Sequence, residues 1–210
     1  MNIISLKDID LKFGSKHVFK SFGLDIQKGE KVRIKGKSGV GKTTLFRLIL
    51  GFLKPEKGNI LYDGLKLDSN SVWDVRRSIA YVSQDMSIGE GLVKDFLEEI
   101  FSYEANKHLN VDLENILTLF RQFDLSGELY RGRISDLSGG EKQRVGIVAS
   151  ILLDRSTYLL DEITSALDEA LKEKVARCFL GLNEKTILII SHDQVWEAEN
   201  VKLIDLDSLN

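Results

Sequence analysis

One cysteine, one proline and the want of any long uncharged apolar run set the first limits on this chain of 210 residues. Cys178 stands alone, so no intrachain disulfide can form, which fits a reducing compartment. Its helical surroundings read as a position for a small buried apolar side chain. The longest uncharged apolar stretch, Val145 to Leu153, falls far short of the roughly 20 residues that span a bilayer. The first residues, Met1 to Lys7, lack the basic start and apolar core of a leader. A soluble chain is therefore expected, one that another chain would hold at any membrane where it works. An excess of one charge is also missing. With 29 Lys and Arg against 32 Asp and Glu, the net charge is -3, and bulk electrostatics recruit neither nucleic acid nor acidic lipid.

What is present is an ordinary globular balance, 43% hydrophobic and 29% charged, which excludes a disordered or fibrous chain. Short strands are expected at Ile3–Lys7, Leu11–Phe13, Leu24–Gln27 and Lys31–Lys35, then a helix from Lys42 to Leu50 closed by Gly51 and Pro55. Gly58–Tyr62 and Ile79–Ser83 read as further strands. From about Leu92 to Asp136 the apolar spacing turns helical, as in Leu113, Ile116, Leu117, Phe120 and Phe123. We read 91–154 as a helical lobe inserted into an α/β core made of 1–90 and 155–210, all within one domain. A helix (Glu141–Leu153), a strand (Thr157–Asp161), a helix (Asp168–Leu182), a strand (Thr186–Ile190) and, after a short helix, a last strand (Val201–Asp205) complete the reading. Such alternation implies a mostly parallel, two-sided sheet, and in these sheets ligands sit beyond the carboxyl ends of the strands. The polar clusters fall there: Gly36–Thr44, Gln84, Asp161-Glu162 and His192 each follow a predicted strand.

Gly36-Lys37-Ser38-Gly39-Val40-Gly41-Lys42-Thr43 matches the phosphate-loop pattern G-x-x-x-x-G-K-[ST]. Its glycines let backbone N–H groups turn inward as a nest for phosphate oxygens, and the helix that opens at Lys42 adds the positive end of its dipole. Lys42 is placed for the β- and γ-phosphates, Thr43 for Mg²⁺ and Thr44 for an α-phosphate oxygen. The apolar run Thr157–Leu160 ends in Asp161, a carboxylate placed to reach Mg²⁺ through a water, and Glu162 next to it can polarise an attacking water.

Leu137-Ser138-Gly139-Gly140-Glu141 follows the helical lobe. Ser138 and Glu141 form a capping box for the next helix. That leaves Gly139 and Gly140 unexplained, because glycine weakens a helix start; a close approach to the backbone, such as an anion at this second helix N-terminus, would account for both.

This pentapeptide resembles the signature motif of ABC ATPases, and the other motifs stand in that family's order. Lys42 to Ser138 is 96 residues, Ser138 to Asp161 is 23 and Asp161 to His192 is 31. The resemblance implies a P-loop NTPase core with an N-terminal antiparallel β subdomain and the inserted helical subdomain. It also implies an ATPase using ATP and Mg²⁺. Phe13 stands where the family has an adenine-stacking aromatic, more often Tyr. Gln84 matches a glutamine that senses Mg²⁺ and the transporter interface, and Ser165–Asp168 a loop that crosses between two copies. His192 matches the switch histidine that contacts the γ-phosphate. Ile163 departs from a common Pro, and Lys37 fills a variable slot. Ser138, Gly139, Gly140 and Glu141 would close on ATP held by a second copy, so a head-to-tail dimer is implied.

The expected role is a motor for separate transmembrane subunits, held at the cytoplasmic membrane face, with the segment after Gln84 and the helical lobe forming the docking groove. The alternative is a relative that regulates or transmits force without transport. Nucleic-acid maintenance is not expected, because those relatives carry coiled coils, zinc inserts or paired cassettes.

Overall fold

A computed structural model describes residues 1–208. The chain begins with a long hairpin, β1 (Asn2–Phe13) and β2 (Lys16–Gln27), turned by Gly14-Ser15. Here the reading of three short strands is corrected. Register shifts fall between Leu6 and Ile9 and between Ile9 and Leu11, with Asp8 and Ser21 at φ of 52° and 47°. Each bulge resets the alternation of faces, so one strand of 12 residues looks in sequence like two separate short ones. β4 (Lys57–Tyr62) and β5 (Leu65–Lys66) complete an antiparallel sheet of order β2-β1-β4-β5.

The second sheet is parallel throughout, order β6-β7-β8-β3-β9. It comprises β3 (Lys31–Lys35), β6 (Ile79–Val82), β7 (Thr157–Asp161), β8 (Thr186–Ile190) and β9 (Val201–Asp205). Every residue of β7 and β8 is buried, as expected of parallel strands covered on both faces. Their side chains alternate between two cores. Tyr158, Leu160, Ile187 and Ile189 pack with the helical lobe, α5 (Gly139–Leu152) and α6 (Glu169–Leu180). Leu159, Leu188 and Ile190 face α1 (Lys42–Ile49) and the antiparallel sheet. Ile163, at the site of the common family proline, is itself buried in the first core.

The lobe holds α3 (Val93–Ser102) and α4 (Leu113–Gln122) with several short 3₁₀ turns. Its two ends meet: Val93 N donates to Gly132 O at 3.1 Å and Ile134 N to Gly91 O at 2.9 Å. The chain thus leaves and re-enters the core through one neck. Arg144 of α5 ties the lobe down, donating from Nη1 to the carbonyls of Phe123 and Asp124, both at 3.1 Å. Those carbonyls lie just past α4, where a helix leaves acceptors unsatisfied. Two elements escaped the sequence reading, β5 and α2 (Val72–Arg77). Among the described residues no helix is long and apolar enough to cross a membrane.

Candidate active site

The carboxyl ends of β3, β6, β7 and β8 line one cleft of about 440 Å³. Its walls include Phe13, Ser38, Gly39, Gly41, Lys42, Thr43 and Thr44, together with Gln84, Asp161, Glu162 and His192. Gly36 and Val40 complete the loop, Val40 lying against Gly36. The sheet order makes the meeting unavoidable, because β6, β7, β8 and β3 are consecutive neighbours.

The phosphate loop is shaped by the strand beneath it. Gly41, the residue before α1, has φ 115°, and an added Cβ would lie 2.7 Å from Val18 Cγ1 and 3.1 Å from Phe19 Cζ. Only glycine meets both the backbone angle and the approach to β2. No side chain caps α1, so its leading N–H groups point into the cleft as anion donors. Lys42 Nζ donates to Gly36 O at 2.7 Å and to Lys37 O at 3.2 Å, which holds the ammonium over the loop.

Asp161 is buried. Burial pushes its carboxyl up, while hydrogen bonds from Thr43 and Tyr81 and the charge of Lys42 pull it partly back. The Tyr81 hydroxyl donates to Asp161 Oδ2 at 3.4 Å; burial first, then Asp161 itself, pushes the phenol up to about 12, so it remains a donor. A cation beside Asp161 would relieve the cost of its ionisation. The donor set at hand, a hydroxyl, a carboxylate and the Gln84 side chain, is one of hard oxygen ligands, which suits Mg²⁺ bound jointly with substrate phosphates.

Glu162 follows at φ 52°, an uncommon angle for a side-chain-bearing residue. Its N–H donates to Ile190 O at 2.9 Å. This turn places the carboxylate over the cleft, where His192 Nε2 lies 3.7 Å from Glu162 Oε1. Burial pushes the Glu162 carboxyl above the usual range, and His192 and Lys42 draw it part of the way back.

Ser138–Glu141 lies outside this cleft. The capping box forms as read: Ser138 N and Oγ donate to Glu141 Oε2 at 2.8 and 2.7 Å, and Glu141 N donates to Ser138 Oγ at 3.3 Å. These bonds hold the Glu141 carboxyl below its usual value. An added Cβ at Gly139 would meet nothing within 4 Å, and at Gly140 only Ala166 O at 3.7 Å. Among the described residues beyond their own helix, nothing therefore calls for glycine at either position.

Two side chains of the site were not read from sequence. Lys16 lines the cleft beside Phe13 and donates to Gly39 O at 3.4 Å; its signal was the two-residue turn that pairs Phe13 with Lys16. Tyr81 had no local signal, since only the pairing of β6 with β7 brings it to Asp161.

Comparison with known proteins agrees with this geometry. The family model described as ABC transporter matches residues 19–165. An ATP-dependent lipid A-core flippase of Neisseria meningitidis serogroup B is 35% identical over 199 residues, which cover 90% of this chain and 31% of that protein. A bacterial ABC transporter cassette solved as a dimer superposes with a TM-score of 0.79 at 28% identity, covering 97% of this chain and 94% of the cassette. A dimeric ATP-binding cassette in a post-hydrolysis state, bound to ADP and Pi, gives 0.76 at 28% identity over 90% and 88%. The chain spans about a third of the length of most of these curated relatives, and 55% of a spermidine/putrescine import ATP-binding protein of Mesoplasma florum.

Proposed function

Since this chain belongs to the ABC transporter family, we propose that it binds and hydrolyses ATP with Mg²⁺ as one half of a head-to-tail pair of copies. Closing and opening of the pair would drive a substrate through membrane-spanning partners. Those partners are read as chains separate from this one. The reading places the pair at the cytoplasmic face, with 91–154 as the lobe that faces the partners and the remainder as the catalytic core of one domain.

One observation carries the proposal. A single cleft gathers the phosphate loop, Gln84, Asp161, Glu162 and His192, while no described residue beyond its own helix comes within 4 Å of a Cβ added at Gly139. In the pair, Ser138, Gly139 and Gly140 of one copy close over the phosphates held by the other. Glu141 serves by fixing Ser138. Phe13, half exposed at the cleft's edge, stacks on adenine. The loop N–H groups and Lys42 hold the phosphates, and Thr44 adds an α-phosphate contact. Thr43, Asp161 and Gln84 would hold Mg²⁺, which offsets charge on the phosphate oxygens. Glu162 takes a proton from water as its oxygen bonds to the γ-phosphorus, and the bond to ADP's terminal oxygen breaks. His192 orients Glu162 and the γ-phosphate.

Gly139→Ala separates this reading from a purely structural one. Alanine at an open helix start should stabilise the fold by roughly 0.5–1 kcal/mol, read by urea unfolding. If a second copy's nucleotide approaches Gly139, ATP hydrolysis should nevertheless fall by roughly tenfold or more. Unchanged turnover in the stabilised variant would count against closure in trans.

The raised Glu162 carboxyl sets a pH dependence. A base works ionised, and its ionised fraction falls as pH drops through its pKa. The acid limb of kcat/KM, which reports the free protein, should therefore lie above the ordinary glutamate value of 4.5. His192→Ala removes an influence that lowers this pKa, so the limb of its residual activity should move to still higher pH. A limb at or below 4.5 in the parent would contradict Glu162 as the base.

A further inference from the structure

The loop after β8, which carries His192, is tied to the loop after β7 by a residue no motif singles out. Asp193 Oδ2 accepts a hydrogen bond from Thr164 Oγ1 at 2.7 Å, and Asp193 Oδ1 accepts from Lys172 Nζ of α6 at 2.7 Å. Thr164 is fully buried and also accepts from Trp196 Nε1 at 3.3 Å. The other flank is held as well. Asp193 N donates to Ser191 Oγ at 3.0 Å, while buried Arg33 of β3 donates from Nε to Ser191 O at 3.2 Å and from Nη1 to Glu197 Oε1 at 2.5 Å. Burial alone would push the Asp193 carboxyl up, but hydrogen bonds from Lys172 and Thr164 outweigh it and hold the group below its usual range. It therefore stays an acceptor on both oxygens.

These bonds form a bridge between two working loops. On one side, Asp193 is the next residue after His192, beside the γ-phosphate position. On the other, Thr164 stands between Glu162 and the segment Ser165–Asp168. That segment is pinned at its far end, where Asp168 Oδ1 accepts from Leu171 N at 3.0 Å to cap α6. Lys172, one turn into the same helix, holds Asp193 directly. A shift of the His192 loop must therefore pull on Thr164, and through it on Glu162 and on Ser165–Asp168, because the links are short, largely buried and charge-assisted.

We propose that Asp193 is a positioning residue that couples His192 to Glu162 and to the Ser165–Asp168 loop through Thr164, so that the His192 and Glu162 loops move as one unit. This rests on the ATPase reading above. Asp193 needs no contact with nucleotide; its effect lies on turnover and on communication between the paired sites rather than on ATP capture.

The test compares Asp193→Ala, Thr164→Val and their double variant with the parent, using ATP turnover and binding of a fluorescent ATP analogue. Thr164→Val keeps the buried shape and removes only the hydroxyl, and analogue binding at the parent's affinity shows that each variant is folded. Each single variant should lower kcat about tenfold with KM for ATP within about twofold. The double variant should be no worse than the poorer single one, because both remove the same link. Thr164→Ser, which keeps the hydroxyl, should restore most of the turnover. Positive cooperativity in ATP, if the paired sites communicate this way, should weaken in Asp193→Ala toward a Hill coefficient of about 1. Additive losses in the double variant, a Thr164→Ser no better than Thr164→Val, or turnover of Asp193→Ala within twofold of the parent would each overturn the coupling. A parent that hydrolyses no ATP would instead overturn the function reading, and the coupling with it.

Discussion

Glu162→Gln should abolish nearly all ATP turnover while leaving ATP binding intact. Glutamine keeps the size and the backbone turn at φ 52°, yet it cannot accept a proton from water. Loss of a general base costs on the order of 10²–10⁴ in rate. Binding should survive, because the proposed phosphate contacts come from the loop and Lys42 rather than from Glu162. Removing the carboxylate also removes a negative charge from a site built for a polyanion, so affinity should hold or rise slightly. Single-turnover hydrolysis alongside nucleotide titration checks both halves. Turnover within tenfold of the parent would show that Glu162 is not the base.

Lys42→Ala should do the reverse and remove tight binding. The ammonium lies over the phosphate loop, 2.7 Å from Gly36 O and 3.2 Å from Lys37 O. A hydrogen bond to a charged group is worth roughly 1.5–3 kcal/mol, so the affinity for ATP should fall by roughly tenfold to a hundredfold. The fold itself should persist, since Leu45, Phe46, Leu48 and Ile49 of α1 remain buried. Calorimetry with ATP reads the result, and circular dichroism confirms the helix content. An unchanged dissociation constant would remove Lys42 from the phosphate site. The two variants thus separate nucleotide capture from turnover.

How much of this was legible in sequence depended on whether the signal was local. β7 and β8 were read at their true limits because five consecutive buried residues give a short continuous, mostly apolar run with no solvent-facing position. The phosphate loop and the Ser138 cap were legible because backbone chemistry there demands particular residues in a fixed order. The start of α5 was read two residues late, since Gly139 and Gly140 argue against helix by propensity while the capping box carries them into it. α2 was missed because it has only six residues and buries only Val75, too little to show a period. The β1 hairpin was broken into pieces at its bulges. Tyr81 and Asp193 were invisible for another reason. Each is an ordinary polar residue that becomes part of the site only when a neighbouring strand or loop, distant in sequence, carries its partner. Gly139 lies between these cases: the pattern of two glycines after Ser138 is visible in sequence, and among the described residues nothing beyond its own helix crowds a side chain there.

The claim on which the rest depends is that ATP joins two copies of this chain. Sedimentation of Glu162→Gln tests it most directly, because a variant that binds ATP without turning it over should trap the closed pair. With saturating ATP and Mg²⁺ it should sediment at twice the mass of the 23.7 kDa chain, and return to single copies when the nucleotide is washed out. A single-copy mass under saturating ATP and Mg²⁺, with nucleotide demonstrably bound, would contradict the account.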